Sequence, residues 1–485
     1  MSEVGEEPSG YRLYQLIGLF VGPALCLTML VLPAPSGLSD AGWTTASIAT
    51  LMAVWWATQA LPLAATALVP LAAFPVLGVL NVKDTAEPYA NPLIFLFLGG
   101  FMIALAVQRW NLHRRMALHI LLHVGTRPAS LVGGVMLATA LLSMWISNTA
   151  TTIMMLPIAV SLIAISARGP LASGRAGKNF ATAMMLGTAY AASIGGMATL
   201  IGSPPNALAA GYLLQEFGVE VTFLDWMIIA LPMVVFLLPL AWLWLTRVTF
   251  PFPNADVGDG PDTIPQMLRD MGPMSSPERR VALVFGVVAT LWILHPLFSD
   301  VLGIKTITDV GVAIAGALAL FVLPADWGKK EFLLDWEYAR TIPWEILLLF
   351  GGGLSLAQAI DSSGLAIWLG GGLDFLSGLP VVLIIAGIVF FAVMMTELVS
   401  NTATTAAMLP VVGALTVSTE LAPLVLAAPL ALGASSAYML PVATPPNAIV
   451  FGSGCISLPQ MMWAGFLIGL IGVVVITGFI MLLAV

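Results

Sequence analysis

Long apolar stretches separated by short polar segments occupy nearly the whole of this 485-residue chain. A helix that crosses a bilayer needs about 20 mostly apolar residues, and the pattern reaches that length many times. It therefore predicts an all-α polytopic membrane protein with about 11 transmembrane helices. The predicted helices lie at residues 13–33, 44–61, 62–82, 91–109, 180–214, 223–247, 281–299, 308–324, 343–360, 422–455 and 460–485.

Polar residues interrupt four of the apolar stretches. Residues 129–165 and 380–415 each carry Ser-Asn-Thr (SNT) midway, and these side chains favour caps and turns. Each of the two is predicted to be a re-entrant hairpin of two half-length helices. Residues 180–214 and 422–455 are too long for one plain crossing and contain Pro-Pro. Because proline breaks a helix, each is predicted to be a discontinuous helix with an unwound centre.

The motifs that interrupt the apolar stretches occur twice in the chain, in the same order and about 250 residues apart. The longest pair shares nine of twelve positions. Such ordered self-similarity indicates two homologous halves, a first repeat at 1–250 and a second at 281–485, joined by a linker at 251–280. The matching pairs are ISNTATTIMMLP (146–157) with VSNTATTAAMLP (399–410), GSPPNA (202–207) with ATPPNA (443–448), and LGG (98–100) with FGG (350–352).

Composition supports a membrane protein. Charged residues make up 9% of the chain and apolar residues 59%, whereas soluble domains carry about 25% charged residues. The acidic start, Met1 to Tyr11, lacks the basic region of a signal peptide, so the first apolar segment is predicted to be retained. Cys26 and Cys455 lie in apolar segments and indicate neither a disulfide framework nor a metal site.

The placement of basic residues predicts the topology. With a cytoplasmic N-terminus and two re-entrant hairpins, fifteen of the seventeen Lys and Arg residues are cytoplasmic, and Lys83 and Lys305 lie outside. The positive-inside rule requires such an asymmetry. The first hairpin then opens from the cytoplasm and the second from outside, so the repeats are inverted and the C-terminus is outside. The cytoplasmic residues are Arg12, Arg109, Arg114, Arg115, Arg127, Arg168, Arg175, Lys178, Arg247, Arg269, Arg279, Arg280, Lys329, Lys330 and Arg340.

The two SNT motifs predict a solute site. Hairpins from inverted halves would meet near the membrane midplane, where half-helix N-termini suit an anion and free carbonyls and hydroxyls suit a small hard cation. A polar seam of small residues between helices is the alternative. A seam explains Ser, Thr and Ala, but it does not explain a duplicated tripeptide with Asn.

The Pro-Pro-Asn (PPN) motifs and nearby hydroxyls extend this site. Proline frees carbonyls, so the loops at 202–206 and 443–447 would offer backbone oxygens to a cation, although a simple kink is the alternative. Ser143 and Thr396 lie one turn before each SNT and could add a ligand. No Lys or Arg lies within these segments, so a bound anion would need co-bound cations.

Three further residues are candidates for a functional role, and each also has a structural interpretation. Glu397 is the one acidic residue inside a hairpin, and it is either functional or a cap for the hairpin backbone. His119 and His123 are four apart on a basic amphipathic segment, Asn111 to Val124, which favours an interfacial helix over a metal site. The chain has no GxxxxGK[ST] or GxSxG motif, which argues against ATP drive and against an enzyme.

Together, the doubled SNT and PPN motifs resemble those of the divalent anion:sodium symporter family, over the whole chain. Members of that family carry dicarboxylates, citrate or, in some branches, sulfate. The resemblance implies a dimerising scaffold, made of helices within about 13–125 and 281–375. It also implies a transport domain, made of both hairpins, both broken helices and the helices at 223–247 and 460–485, that moves in an elevator-like way.

The same resemblance implies particular ligands. One sodium site would use Ser143, Ser147, Asn148 and the Gly202 carbonyl, and a second would use Thr396, Asn401 and the carbonyls of Val399 and Ala443. Both SNT motifs are intact, which favours carboxylates over sulfate. The implied substrate-binding residues are Asn148, Thr149, Ser203, Asn401, Thr402, Thr444 and Pro445.

The sequence thus predicts a sodium-coupled symporter of C4-dicarboxylates (succinate, malate, fumarate) in the cell (inner) membrane. Its predicted partners are a dicarboxylate anion, sodium ions, the lipid bilayer and a second copy of the chain, with no other cofactor and no nucleic acid. Sodium-independent dicarboxylate exchange, and citrate or sulfate transport on the same fold, stay open as alternatives. A channel with the same polar lining would differ by showing no saturation of flux.

Overall fold

The apolar stretches form helices in the structure, a computed structural model that describes residues 11–125, 127–166, 174–253, 263–296, 298, 306–376 and 378–484. In these ranges the regular structure is helical apart from one small antiparallel hairpin of two strands. The all-α prediction is confirmed. Arg168, Lys305 and most of the acidic N-terminus, which the topology prediction used, lie outside the described residues.

Twelve helices of the first half are α1 (Leu13–Val31), α2 (Asp40–Thr58), α3 (Leu63–Thr66), α4 (Val69–Val76), α5 (Val82–Ala86), α6 (Pro92–Arg109), α7 (Leu112–Leu122), α8 (Pro128–Ser143), α9 (Asn148–Ser166), α10 (Gly174–Gly196), α11 (Pro204–Phe217) and α12 (Phe223–Leu243). A 3₁₀ turn (Glu87–Ala90) precedes α6, and α12 continues as a π-helix (Trp244–Thr249).

The remaining elements are α13 (Thr263–Asp270), α14 (Ser276–Pro296), α15 (Asp309–Val322), β1 (Pro324–Asp326), β2 (Glu331–Phe332), α16 (Trp336–Ala339), α17 (Trp344–Ser362), α18 (Leu365–Gly372), a 3₁₀ turn (Asp374–Leu376), α19 (Val381–Thr396), α20 (Asn401–Thr419), α21 (Pro423–Ala434), α22 (Pro445–Phe451) and α23 (Leu458–Ala484).

The four polar interruptions fall between helices, as predicted. Each SNT motif starts the second helix of a pair, α9 after α8 and α20 after α19, and each Pro-Pro restarts a broken helix, as α11 and α22. Proline suits the first helical positions because the N–H it lacks would have no partner there. The unwound centres are residues 197–203 and 435–444. Both discontinuous helices are therefore confirmed.

Three sequence expectations differ from the structure. The single helix predicted at 62–82 is split into α3 and α4, because Pro62 precedes α3 and Pro70 is the second residue of α4, where a continuous helix would lose a backbone bond. The predicted linker holds α13 and the start of α14. The strands and α16 were not predicted, since segments of two to four residues have no readable period.

The number of membrane-crossing helices stays a prediction. In the described residues five helices are long and apolar enough to cross a bilayer uninterrupted. A sixth is reached if α17 and α18, which are bent by 78°, count as one span. One of the five is α20 of the second hairpin, whereas α8, α9, α19 and α21 have shorter apolar stretches.

Two glycines bring the halves into backbone contact. A Cβ on Gly99 (α6) would lie 2.7 Å from the Ala313 carbonyl carbon (α15), and one on Gly352 (α17) would lie 2.3 Å from the Ala67 carbonyl oxygen, between α3 and α4. Neither position has room for a side chain. Both glycines therefore serve close helix packing, and each contact joins one half to the other.

Candidate functional site

Both SNT motifs and both PPN loops line one cavity of about 1130 Å³. The structure thus brings together most of the predicted site residues. Ser143, Thr396 and Val399 do not line this cavity, and each lies behind it as a buried residue. The predicted residues on its wall are Ser147, Asn148, Thr149, Gly202, Ser203, Asn401, Thr402, Ala443, Thr444 and Pro445.

Four helices begin at this cavity, namely α9, α11, α20 and α22. Each helix N-terminus carries a positive partial charge. Helices α9 and α20 also present N–H groups without an intrahelical partner, whereas α11 and α22 begin with two prolines, which have no N–H. Among the described lining residues, Arg12 is the only cationic side chain and Glu345 the only anionic one. The helix ends therefore supply the positive field for an anion at the floor of the cavity.

In the first half, oxygens converge on Asn148. The Ser143 hydroxyl lies 2.7 Å from Asn148 Oδ1 and 2.7 Å from the Ala192 carbonyl oxygen. As oriented, the Asn148 amide oxygen faces only acceptors, and turning the amide lets its nitrogen donate to Gly202 O (3.3 Å) and Ala192 O (3.1 Å). A small cation bound among these oxygens would also compensate their negative partial charges. Oxygen clusters of this kind suit hard cations.

The second half repeats this arrangement. The Thr396 hydroxyl lies 2.6 Å from Asn401 Oδ1 and 2.7 Å from the Ala434 carbonyl oxygen. One turn further, Thr152 donates to the Asn148 carbonyl (2.8 Å) and Thr405 to the Asn401 carbonyl (2.9 Å). The duplicated sequence therefore builds duplicated hydrogen bonds.

The unwound centres are held by the asparagines of the PPN motifs. Asn206 Nδ2 donates to the carbonyls of Gly196 (3.0 Å) and Thr199 (2.8 Å), and Asn447 Nδ2 donates to those of Ala437 (3.3 Å) and Leu440 (3.0 Å). Both asparagines are fully buried. Neither asparagine was predicted to have a role, although their duplication was a signal for one.

The loop hydroxyls are already engaged. Ser203 Oγ lies 3.1 Å from Ser435 Oγ, which joins the two broken helices, and Thr444 Oγ1 accepts the Asn447 N–H at 3.4 Å. Ser435 was not predicted, because it lies outside the sequence motifs that occur in both halves. A substrate that uses these hydroxyls would share or replace these bonds.

Glu397 holds the second unwound centre. Its carboxylate accepts the backbone N–H groups of Tyr438 (2.6 Å), Met439 (2.8 Å) and Leu440 (3.0 Å), and the residue is 4% exposed. Of the two alternatives for Glu397, the structure supports the capping role. In the first half, Thr199 donates instead to the carbonyl of Met144, which occupies the position of Glu397.

The cavity reaches the surface at a mouth lined by three exposed residues, at the start of α1 (Arg12), the end of α2 (Gln59) and the start of α17 (Glu345). At the second hairpin tip and loop, Leu398 is 71% and Val442 is 72% exposed. Their counterparts in the first half, Trp145 and Ile201, are more covered.

The first hairpin tip packs against an aromatic cluster. Trp145, the counterpart of Leu398, stacks on Phe223 (5.8 Å between ring centroids) and Trp292 (6.4 Å) and meets Phe285 edge-on (5.2 Å). Ile201, the counterpart of Val442, is 6% exposed. One face of the site is thus sealed and the other open.

Gly196→Ala tests the oxygen cluster of the first half. A Cβ there would lie 2.4 Å from Asn148 Oδ1 and 3.0 Å from Gly202 O, so the asparagine must move. If the cluster holds the sodium ion that the family resemblance implies, the variant should bind sodium at least tenfold more weakly, since cation sites need fixed ligand geometry. Gly371→Ala is the control, because a Cβ there meets nothing within 4 Å. Unchanged sodium dependence in the Gly196 variant would contradict this role for the cluster.

A mainly helical membrane protein with two broken helices and two interrupted helix pairs, whose hydroxyls, amides and helix N-termini meet at one cavity, has the architecture of secondary transporters. Comparison with known families agrees, since the model described as "Sodium:sulfate symporter transmembrane region" matches residues 13–484. The chain belongs to this family. The family resemblance inferred from the motifs is confirmed, and the protein is a transporter rather than an enzyme.

Individual relatives are similar over nearly their full length. The sodium-dependent dicarboxylate transporter SdcS of Staphylococcus saprophyticus is 41% identical over 475 residues, covering 97% of this chain and 92% of the relative. SdcS of Staphylococcus aureus (strain USA300) is 41% identical over 466 residues, covering 95% and 90%.

Solved structures share the fold. The Alcanivorax borkumensis YdaH transporter is 15% identical with a TM-score of 0.56, covering 96% of each chain. Neisseria gonorrhoeae MtrF is 13% identical with a TM-score of 0.55, covering 96% of this chain and 92% of that one. At this identity the likeness supports the architecture alone.

Proposed function

We propose that the protein imports C4-dicarboxylates such as succinate, malate or fumarate together with sodium ions, across the cell (inner) membrane. The observation that carries the proposal is the single cavity where both SNT motifs and both PPN loops meet. The names of the relatives, sodium-dependent dicarboxylate transporters at 41% identity, support the same ion and substrate class.

Coupling follows from the charge of the site. A dianion at the floor of the cavity meets helix N-termini, hydroxyls and amides, and no cationic side chain of the described wall other than Arg12 at the mouth. Two carboxylates need more positive charge than partial dipoles give. Sodium held by the clusters at Asn148 and Asn401 would supply it, so substrate alone binds poorly.

The substrate-binding residues of this proposal are Asn148, Thr149, Ser203, Asn401, Thr402, Thr444 and Pro445. Sodium would be held by Ser143, Ser147, Asn148 and the Gly202 carbonyl in one half. In the other half it would be held by Thr396, Asn401 and the carbonyls of Val399 and Ala443. The two matching hydrogen-bond clusters support this division.

The test is uptake of radiolabelled succinate into proteoliposomes with an inward sodium gradient, and again with choline in place of sodium. We expect uptake with sodium only, saturating with succinate and inhibited by malate and fumarate. Uptake in choline that requires internal dicarboxylate would overturn symport in favour of exchange. Sodium-driven uptake of sulfate or citrate but not of succinate would overturn the proposal that the substrate is a C4-dicarboxylate.

For the transport cycle we propose an elevator-like movement of the hairpins, broken helices, α12 and α23 against a dimeric scaffold of the other helices. The asymmetry of the site supports it. The first hairpin tip is buried against aromatic residues, and the matching second tip faces the open cavity. Because the halves are inverted, we expect the second tip to be buried and the first tip to face an open cavity in the opposite conformational state.

Asp309 would stabilise the observed state, because it joins the proposed moving and fixed parts. Its Oδ2 accepts the Phe223 N–H of α12 (2.8 Å), and its carbonyl accepts the Trp292 Nε1–H of α14 (2.9 Å). A hydrogen bond to a charged group contributes about 1.5–3 kcal/mol, so Asp309→Ala should shift the equilibrium at least about tenfold toward the opposite state.

Labelling of a cysteine at Val442 measures this shift. In a background with Cys26 and Cys455 replaced by serine, we expect Asp309→Ala to lower the rate of labelling from the cavity side. Asp225→Asn is the control, because Asp225 bonds Thr222 within α12. Equal labelling rates in both variants would argue against this role for Asp309.

A further inference from the structure

A second cavity, of about 200 Å³, lies beside the first hairpin and shares no lining residue with the central one. Its walls come from α7, from α8 and α9 of the hairpin, and from α13. Helix α7 has 11 residues and is too short to cross a bilayer. The cavity is therefore separate from the proposed dicarboxylate site and lies next to a short amphipathic helix.

One wall presents a buried hydrogen-bond acceptor. His113 lines the cavity, is 6% exposed, and has Nδ1 3.0 Å from the Val107 carbonyl oxygen. Because a carbonyl only accepts, Nδ1 carries the hydrogen and Nε2 keeps its lone pair. Burial lowers the pKa of His113, and so does the neighbouring Arg114 charge. Among the described residues Nε2 has no partner.

The same cavity holds a cation without a counter-ion. Arg114 lines it and forms no ion pair with any described residue. Its neighbour Arg115 is instead bound to Glu278 (2.5 Å) and to the Gly272 carbonyl (3.0 Å), which fixes α7 against the segment around α13 and α14. The guanidinium of Arg114 is thus free to bind an anion bidentately.

The other walls are apolar, with Met154, Met155 and Met267 among them. Methionine adapts its shape to an apolar ligand. A dry cavity of about 150 Å³ holds a benzene ring, so the larger space here takes roughly six carbons of a chain.

We propose that this cavity binds an amphiphilic phosphate monoester, with its phosphate at Arg114 and His113 and the first carbons of its chain among the methionines. Near neutral pH a phosphate monoester still carries part of its second proton, since that pKa is about 6. It offers anionic oxygens to Arg114 and an O–H to His113 Nε2. An ionised carboxylate offers no such donor.

Occupancy would also restrain transport, and this part rests on the proposed function. The ligand would contact α7 and α13 on one side and the first hairpin on the other. If the hairpin moves in the cycle, a molecule packed between these surfaces opposes the movement. We expect bound phosphate monoester to slow sodium-driven uptake.

Calorimetry on the purified protein in phosphatidylcholine nanodiscs, without sodium or dicarboxylate, tests binding independently of the transport proposal. The probes are hexyl phosphate, lysophosphatidate, glycerol 3-phosphate and hexanoate. We expect saturable binding of the first two, and binding at least about tenfold weaker for the tailless ester and for the carboxylate. Comparable binding of glycerol 3-phosphate would overturn the proposal of an amphiphilic ligand and indicate that the cavity binds a soluble phosphate ester.

Two variants locate the site, and a third is their control. Arg114→Gln should weaken hexyl phosphate binding at least about tenfold, because a charge-assisted bond is lost. Arg127→Gln removes the same charge from an exposed position that does not line the cavity, and it should bind as wild type. Met154→Trp should also weaken binding by filling the space. No saturable binding to wild type, or equal binding by the two arginine variants, would overturn the proposal.

Discussion

Replacing Asn401 or Asn148 by alanine is expected to abolish sodium-driven uptake and leave a folded protein. Each amide contacts a buried hydroxyl, Thr396 at 2.6 Å or Ser143 at 2.7 Å, at the start of a helix that faces the cavity. Removing it takes one ligand from the proposed substrate site and one from a proposed sodium site. Losing two interactions of about 1.5–3 kcal/mol each lowers uptake by at least two orders of magnitude.

The measurement is succinate uptake by reconstituted variants, with elution volume and melting temperature as evidence of folding. Ser161→Ala and Ser418→Ala are controls on the same two helices. Both serines are partly exposed and bond only the backbone of their own helix, Pro157 O at 2.8 Å and Leu415 O at 3.2 Å. Transport at the wild-type rate by either asparagine variant would reject the site.

Glu397→Leu is expected to give the largest loss of stability of any single change considered. The carboxylate accepts three backbone N–H groups that no other described group accepts, and leucine would leave all three buried without a partner. Unsatisfied buried donors cost about 1–3 kcal/mol each, so most of the stability of a typical domain would be lost.

Glu397→Gln separates this capping role from sodium binding. Glutamine keeps one carbonyl oxygen for the N–H groups, so the variant should fold with a lowered melting temperature and transport with an unchanged sodium dependence. Thermal unfolding in detergent and uptake at graded sodium concentrations measure the two effects. A normal melting temperature combined with a lost sodium response would instead place Glu397 among the sodium ligands.

The helix breaks were predictable because their causes are local. The paired prolines at 204–205 and 445–446 remove two consecutive N–H donors and so favour a helix break, and Ser-Asn-Thr favours a helix start. Duplication then indicated that the broken segments belong to one site, since chance would not repeat two motifs in order. Local chemistry and repetition together therefore predicted most of the cavity wall.

The partners of the site residues could not be predicted, because they depend on contacts between distant segments. Ser435 meets Ser203 across 232 positions of the chain, and Glu397 reaches an unwound segment about 41 residues later. Nothing in the spacing of an isolated serine or glutamate specifies such a neighbour. The short strands and α16 carry no period at all.

The glycine contacts between the halves have a consequence for how the chain folds as it is made. Helix α6 is synthesised about 200 residues before α15, whose backbone Gly99 touches, whereas the partner of Gly352 already exists when α17 appears. Chains fold from the N-terminus onward during synthesis. Gly99 of α6 therefore stays in the bilayer without its partner helix until α15 has been made. The packing of the first half is complete only after the second half has begun to insert.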